Sequence, residues 1–219
     1  MIRKLFVLFK VVVFIHLLIY LVNGDWTATF ICLFKFVLLF IVDYMQKKIK
    51  YSDFFQFLIY IFLIGSLLGG EVYHLYSKIS YFDIILHVLS SFIVSGLFLY
   101  IYKLFKCNIN RFLLIICIFS FAMMIAALWE ITEFSIDRLL DRDMQKDTVI
   151  SEVNSMLLSS DGMSIIKNKV SSMSIGGRTL DGYLDIGLYD TVEDMICATL
   201  GSLLFIIVGR SRIKEASLV

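Results

Sequence analysis

Three carboxylates close a long apolar run. In Trp129-Glu130-Ile131-Thr132-Glu133-Phe134-Ser135-Ile136-Asp137 the acids fall at i, i+3 and i+7, which puts Glu130, Glu133 and Asp137 on one helix face. Two further pairs repeat the helical interval: Asp83 with His87, and Asp190 with Asp194, both i, i+4, with Glu193 beside the second. Carboxylate oxygens suit Mg²⁺, Ca²⁺ or Mn²⁺, and an added imidazole brings Zn²⁺ or Fe²⁺ within range. The same groups could serve as acids and bases in metal-assisted chemistry. Each also has a plainer role: Asp83 and Asp190 as acids at helix starts, His87 as a hydrogen-bonded packing residue. Glu130 and Glu133 resist that reading, because the C-terminal end of a helix disfavours acids.

The elements that position these residues are set by composition. The chain has 219 residues, 59% hydrophobic and 18% charged, with 20 Phe and no Pro, and its mean hydropathy is +0.87. That is too apolar for a soluble domain and implies an all-α, polytopic membrane bundle. A net charge of +1, with basic residues in short flanking groups, excludes a nucleic-acid partner. Cys32, Cys107, Cys117 and Cys197 have no C-x-x-C spacing and read as free thiols.

Six segments are long and apolar enough to cross a bilayer: Leu5 to Val22, Thr27 to Tyr44, Phe54 to Gly70, Asp83 to Tyr102, Phe112 to Ile136 and Tyr189 to Val208. The first follows Arg3 and Lys4 but ends at Asn23-Gly24-Asp25-Trp26 without a small-x-small cleavage site, so it reads as a retained helix. Four basic groups fall on one side if the helices alternate: Arg3 and Lys4; Lys47, Lys48 and Lys50; Lys103, Lys106 and Arg111; Arg210, Arg212 and Lys214. Both termini are therefore expected in the cytoplasm, within one membrane domain spanning 1–219. The other side carries Glu71 to Phe82 and an extracytoplasmic insertion over 138–188. In that insertion Val149, Ile150, Val153, Met156 and Leu157 have near-helical spacing, which predicts short amphipathic helices, with turns at Ser159 to Gly162 and Gly176-Gly177.

This topology brings Asp83, His87, Glu130, Glu133, Asp190 and Asp194 to the outer boundary as the candidate metal ligands. Arg138, Arg142 or Arg178 could instead neutralise the acids. His74, three residues after Glu71, is a peripheral candidate. His16 and Asp43 read as packing or interfacial groups, and Trp26 and Trp129 as aromatic-belt residues. Small-xxx-small pairs, Gly65 with Gly69, Ser66 with Gly70 and Ser91 with Ser95, suit close helix contact. No nucleophile elbow, P-loop, H-E-x-x-H or dinucleotide fingerprint occurs, and Ser90, Ser91 and Ser135 have no base assigned to them.

Phe82-Asp83 with His87, Trp129-Glu130-x-x-Glu133, and Asp190-Thr191-x-x-Asp194-Met195 leading into Leu200-Gly201 resemble the YjdF-like family of bacterial multi-pass inner-membrane proteins. The likeness runs from about Tyr81 to Leu204, and the first three helices match in hydropathy alone. That family carries a compact Thr-Gln-Gly-Asp run shortly before its Asp-Thr pair. Here the nearest likeness is Met144-Gln145-Lys146-Asp147-Thr148, far upstream, so the loop is expanded and Gln145 and Asp147 stand as peripheral candidates with Glu193 and Trp129. The arrangement is more distantly similar to VanZ-like proteins. The resemblance implies a bacterial inner membrane and no particular reaction.

Three functions compete. The first is an outward-facing acid and histidine site holding a divalent cation (Zn²⁺, Mn²⁺, Mg²⁺ or Ca²⁺) and, through it, an anionic lipid or envelope headgroup. The second is a cation- or proton-coupled transporter in which the same carboxylates titrate; it lacks paired broken helices and an acid at the midplane. The third is a non-catalytic assembly protein whose long loop binds a partner. Between these three readings, whether the protein is an enzyme stays open.

Overall fold

The computed structural model describes residues 2–73, 75–79, 81–105 and 107–217. The apolar segments form six long helices: α1 (Ile2–Asn23), α2 (Trp26–Ile49), α3 (Asp53–Ile64), α5 (Phe82–Phe105), α6 (Arg111–Leu140) and α7 (Leu188–Val208). A π-helical segment, Gly65–Val72, prolongs α3, and two short helices, α4 (Leu75–Lys78) and α8 (Arg210–Ala216), follow α3 and α7. All six long helical segments have the length and hydropathy of membrane spans, and the protein is a multi-pass membrane protein.

Local chemistry sets the helix ends. The Asp25 carboxylate accepts the Ala28 amide at 3.0 Å to start α2, and Ser52 Oγ accepts the Phe55 amide at 3.2 Å to start α3. Lys50, at φ 58°, closes α2 in a left-handed cap. The π segment falls where small residues cluster: the Phe82 and Tyr76 rings occupy the space that side chains at Gly69 and Gly70 would fill.

The chain divides into two compact units, Met1–Ala126 with Ile196–Val219, and Ala127–Met195. In the first unit, one core gathers Val13, Leu39, Phe55, Tyr60, Leu67 and Ile93 from α1, α2, α3, the π segment and α5. A second gathers Leu99, Leu114, Ile118, Phe205 and Ile213 from α5, α6, α7 and α8. Between α5 and α7 runs a polar seam: Ser91 Oγ donates to the Ala198 carbonyl at 2.6 Å, Ser95 and Ser202 share a hydrogen bond at 2.9 Å, and Gly201 lies against the Val88 carbonyl. Ser91 and Ser95 thus serve close packing.

The second unit holds the end of α6, the start of α7 and the insertion. Between α6 and α7 the described residues of the insertion form no helix of their own; they fold as three antiparallel ribbons. The strands β1 (Thr148–Ile150) and β6 (Tyr183–Asp185) pair at the root, with Val149 opposite Leu184. From that root, β2 (Glu152–Ser155) pairs with β3 (Ile166–Lys169), and β4 (Met173–Ile175) with β5 (Arg178–Leu180). The expected amphipathic helices are therefore replaced by strands. Thr148, Val149, Ile150 and Val153 are β-branched, and every ribbon that closes locally does so on the turns read from the sequence. Asp161 builds one of them: its carboxylate accepts the amides of Met163 and Ser164, both at 2.9 Å, and the hydroxyls of Ser159 and Ser164. These bonds hold its carboxyl below the usual range, the Ser164 hydroxyl contributing most. Gly176 and Gly177, at φ 57° and 79°, make the β4–β5 turn.

Candidate functional site

Near the far end of α6, Glu130 and Glu133 stand one turn apart, and Asp194 stands in the second turn of α7. All three are buried, at 5%, 8% and 3% exposure. One oxygen from each lies within 4.8 Å of the other two. Two oxygens bound across a common ion by bonds of roughly 2.4 Å are themselves about 4.8 Å apart, so the spacing fits one divalent cation. Without a counter-charge, two carboxylates at ~4 Å repel by about 4 kcal/mol at an effective dielectric of 20. An all-oxygen set of this kind favours Mg²⁺, Mn²⁺ or Ca²⁺.

Trp129 contributes through Glu133. The residue is 48% exposed, as a belt residue would be, yet its Nε1–H donates to Glu133 Oε1 at 2.8 Å. That bond fixes which way the carboxylate faces, the usual task of a group behind a metal ligand.

Two further acids of this unit, Asp137 and Asp190, fasten the insertion. Asp137 accepts the Met144 amide at 2.6 Å and the Gln145 amide at 3.0 Å. Asp190, 5% exposed, accepts the Lys146 amide at 3.0 Å, with Lys146 Nζ at 4.0 Å. Gln145 is buried and donates through Nε2 to Thr191 Oγ1 at 2.7 Å. Gly187, at φ 117°, gives Gln145 its room: a Cβ there would sit 2.7 Å from Gln145 Cβ. Asp190 is thus engaged with the loop backbone, outside the converging trio. Glu193 is exposed. Asp147 is also exposed, and partial desolvation, then the nearby Asp143, Asp137 and Asp185, raise its pKa.

In the other unit, Asp83 and His87 occupy the first two turns of α5. His87 Nε2 lies 3.5 Å from Asp83 Oδ1, and both side chains are mostly buried. The Ser90 hydroxyl donates to the His87 carbonyl at 2.9 Å, and in the second unit the Ser135 hydroxyl donates to the Ile131 carbonyl at 2.6 Å, so both serve the helix backbone. His16 Nδ1 lies 2.9 Å from the Val12 carbonyl within α1. His74 lies outside the described residues, as does the Glu71 side chain. Arg138 stacks over the Phe134 ring at 5.5 Å.

Two polar contacts inside the membrane helices escaped the sequence reading. Lys10 of α1 pairs with Asp43 of α2, whose other oxygen accepts Gln56 Nε2 and the Tyr60 hydroxyl of α3, both at 2.7 Å. Lys10 and Asp43 carry opposite charges and each lies a turn or two from a basic helix end, a match of depth that would have revealed the pair. Lys35 of α2 donates to Ser66 Oγ at 2.9 Å, at the start of the π segment. Nothing local in the sequence marks that contact.

The chain belongs to the DUF2238 family of predicted membrane proteins, whose model matches residues 2–215. No curated protein and no solved structure matches it.

Proposed function

We propose that this DUF2238 protein binds a divalent cation through Glu130, Glu133 and Asp194 and, through the cation, an anionic lipid or envelope headgroup. The observation that carries the reading is the convergence of three buried carboxylates from two helices. Asp83 and His87, in the other unit, are a separate carboxylate and imidazole pair in this proposal, both mostly buried on α5. An imidazole beside a carboxylate widens the choice of ion there to Mn²⁺, Fe²⁺ or Zn²⁺.

The basic groups support an orientation with both termini in the cytoplasm and the site facing outward. A bacterial inner membrane follows from the YjdF-like resemblance. Purified protein is expected to carry near-stoichiometric metal by elemental analysis, and EDTA should lower its Tm until Mn²⁺, Zn²⁺ or Mg²⁺ restores it. Glu130→Gln and Asp194→Asn should each abolish the restoration. A metal-free protein whose Tm ignores every divalent ion would defeat the reading.

One observation favours the transporter as a second reading. Lys10 with Asp43, and Lys35 at a π-helical segment, put ionisable groups inside spans, where such groups commonly serve ion pathways. Proteoliposomes would separate the readings: proton or cation flux lost in Lys35→Met and Asp43→Asn supports transport, and flux absent from the wild type removes it.

A further inference from the structure

We infer that a second site, at the opposite ends of the same helices, binds the phosphate of an anionic ligand. Arg111 opens α6, Val208 ends α7, and Arg210, Ser211 and Lys214 lie on α8; together they line an open cleft of about 470 Å³. All belong to one compact unit. Three cationic side chains face a space large enough for a small ligand.

Arg111 makes the cleft more than a flank of positive charge. Its Nε is buried and forms no hydrogen bond among the described residues. A buried guanidinium N–H lacking an acceptor costs free energy, and an oxyanion in the cleft that Arg111 lines would draw the guanidinium out to an acceptor. The planar fork of arginine takes two phosphate oxygens at once, while Lys214 adds a point charge and Ser211 a hydroxyl donor. Asn110 Oδ1 caps the Leu113 amide at 2.9 Å, and the N-terminal end of the 30-residue α6 adds positive potential beside Arg111.

The anchoring of α8 fixes which of its residues face the cleft. Ile213 and Ala216 are buried in the core, whereas Arg212 is exposed and does not line it. Glu215, the acid of α8, is likewise exposed and outside the lining. Depth selects the ligand. Arg111 is the first residue of one membrane span and Val208 the last of another, so the cleft opens where phospholipid phosphates lie. A lipid phosphodiester and a soluble phosphate share this chemistry.

The test uses the full-length protein in phosphatidylcholine nanodiscs, with Tm as readout. One arm replaces part of the lipid with phosphatidylglycerol; the other adds millimolar inorganic phosphate. A rise in Tm with phosphatidylglycerol alone identifies a lipid headgroup, and a rise with inorganic phosphate identifies a soluble anion. In either case Arg111→Gln and Lys214→Gln should each raise the half-effective ligand level about fivefold. Arg212→Gln should leave it unchanged. Should Arg111→Gln fail to fold, Arg210→Gln and Lys214→Gln carry the same comparison. No rise in either arm, or an equal loss in Arg212→Gln, overturns the site. Metal content is expected to be the same in all these variants, which keeps this test apart from that of the carboxylate site.

Discussion

At the scale of single residues, Trp129 decides more than its exposure suggests. An indole at a membrane boundary is ordinarily an anchor, and an anchor tolerates Phe. Here the Nε1–H holds one oxygen of Glu133. In Trp129→Phe the ring's apolar contacts persist while the donor is lost, and Glu133 is released to other rotamers. Metal affinity, measured by calorimetry, is expected to fall about tenfold, with the Tm of the metal-free protein little changed. Equal affinities in the two proteins would return Trp129 to the role of anchor. Glu193, on the same helix as Asp194 but exposed, marks the contrast between an acid near the site and one in it.

At the scale of elements, the α5–α7 seam and the insertion make different demands. The seam works because the backbones approach closely. A Cβ at Gly201 would lie 2.1 Å from the Val88 carbonyl oxygen, and backbone cannot rotate aside as a side chain does. Gly201→Ala should therefore cost about 1–3 kcal/mol in detergent unfolding; a Tm equal to the wild type would show that the helices separate without cost. The insertion depends on local hydrogen bonds. Because the fold lowers the Asp161 pKa, the stability it adds to its turn is present above the ordinary carboxyl range and is lost progressively as pH falls below that range toward the lowered folded-state pKa. Hydrogen exchange at the Met163 and Ser164 amides should accelerate in Asp161→Asn at neutral pH, and wild-type exchange, corrected for the intrinsic pH effect, should approach the variant's in acid. Unchanged protection in the variant would assign the turn to other contacts.

For the whole molecule, the decisive property is which way it crosses the membrane. The four basic groups and the six spans predict that Cys107, exposed after α5, faces the cytoplasm and that the β2–β3 hairpin faces outward. Leu157, 95% exposed in that hairpin, offers a reporter position. In intact cells a membrane-impermeant maleimide should label Leu157→Cys and spare Cys107, with both labelled after permeabilisation. The reverse pattern would invert the orientation and place the carboxylate site on the cytoplasmic side. The Lys10–Asp43 pair, with Gln56 and Tyr60, ties α1, α2 and α3 together by polar contacts. Hydrophobicity gives apolar helices no reason to choose one neighbour over another within lipid, so such contacts help select the packing.

The sequence by itself determined the helices, because the bilayer demands unbroken apolar runs and leaves few other ways to satisfy the backbone. It also marked Glu130, Glu133 and Asp194 as unusual, because a charge in an apolar helix is costly wherever the helix ends up. Tertiary structure decided which acids converge. Asp190 has the same helical spacing and burial as Asp194, yet it is spent on the Lys146 amide, a contact made by a loop whose course no local pattern encodes. The same limit hid the ribbons of the insertion, since short apolar runs suit strand or helix equally until a partner strand claims them. It hid Lys35 as well, whose acceptor lies on another helix. Spacing along one helix fixes which residues share a face; only packing fixes what that face meets.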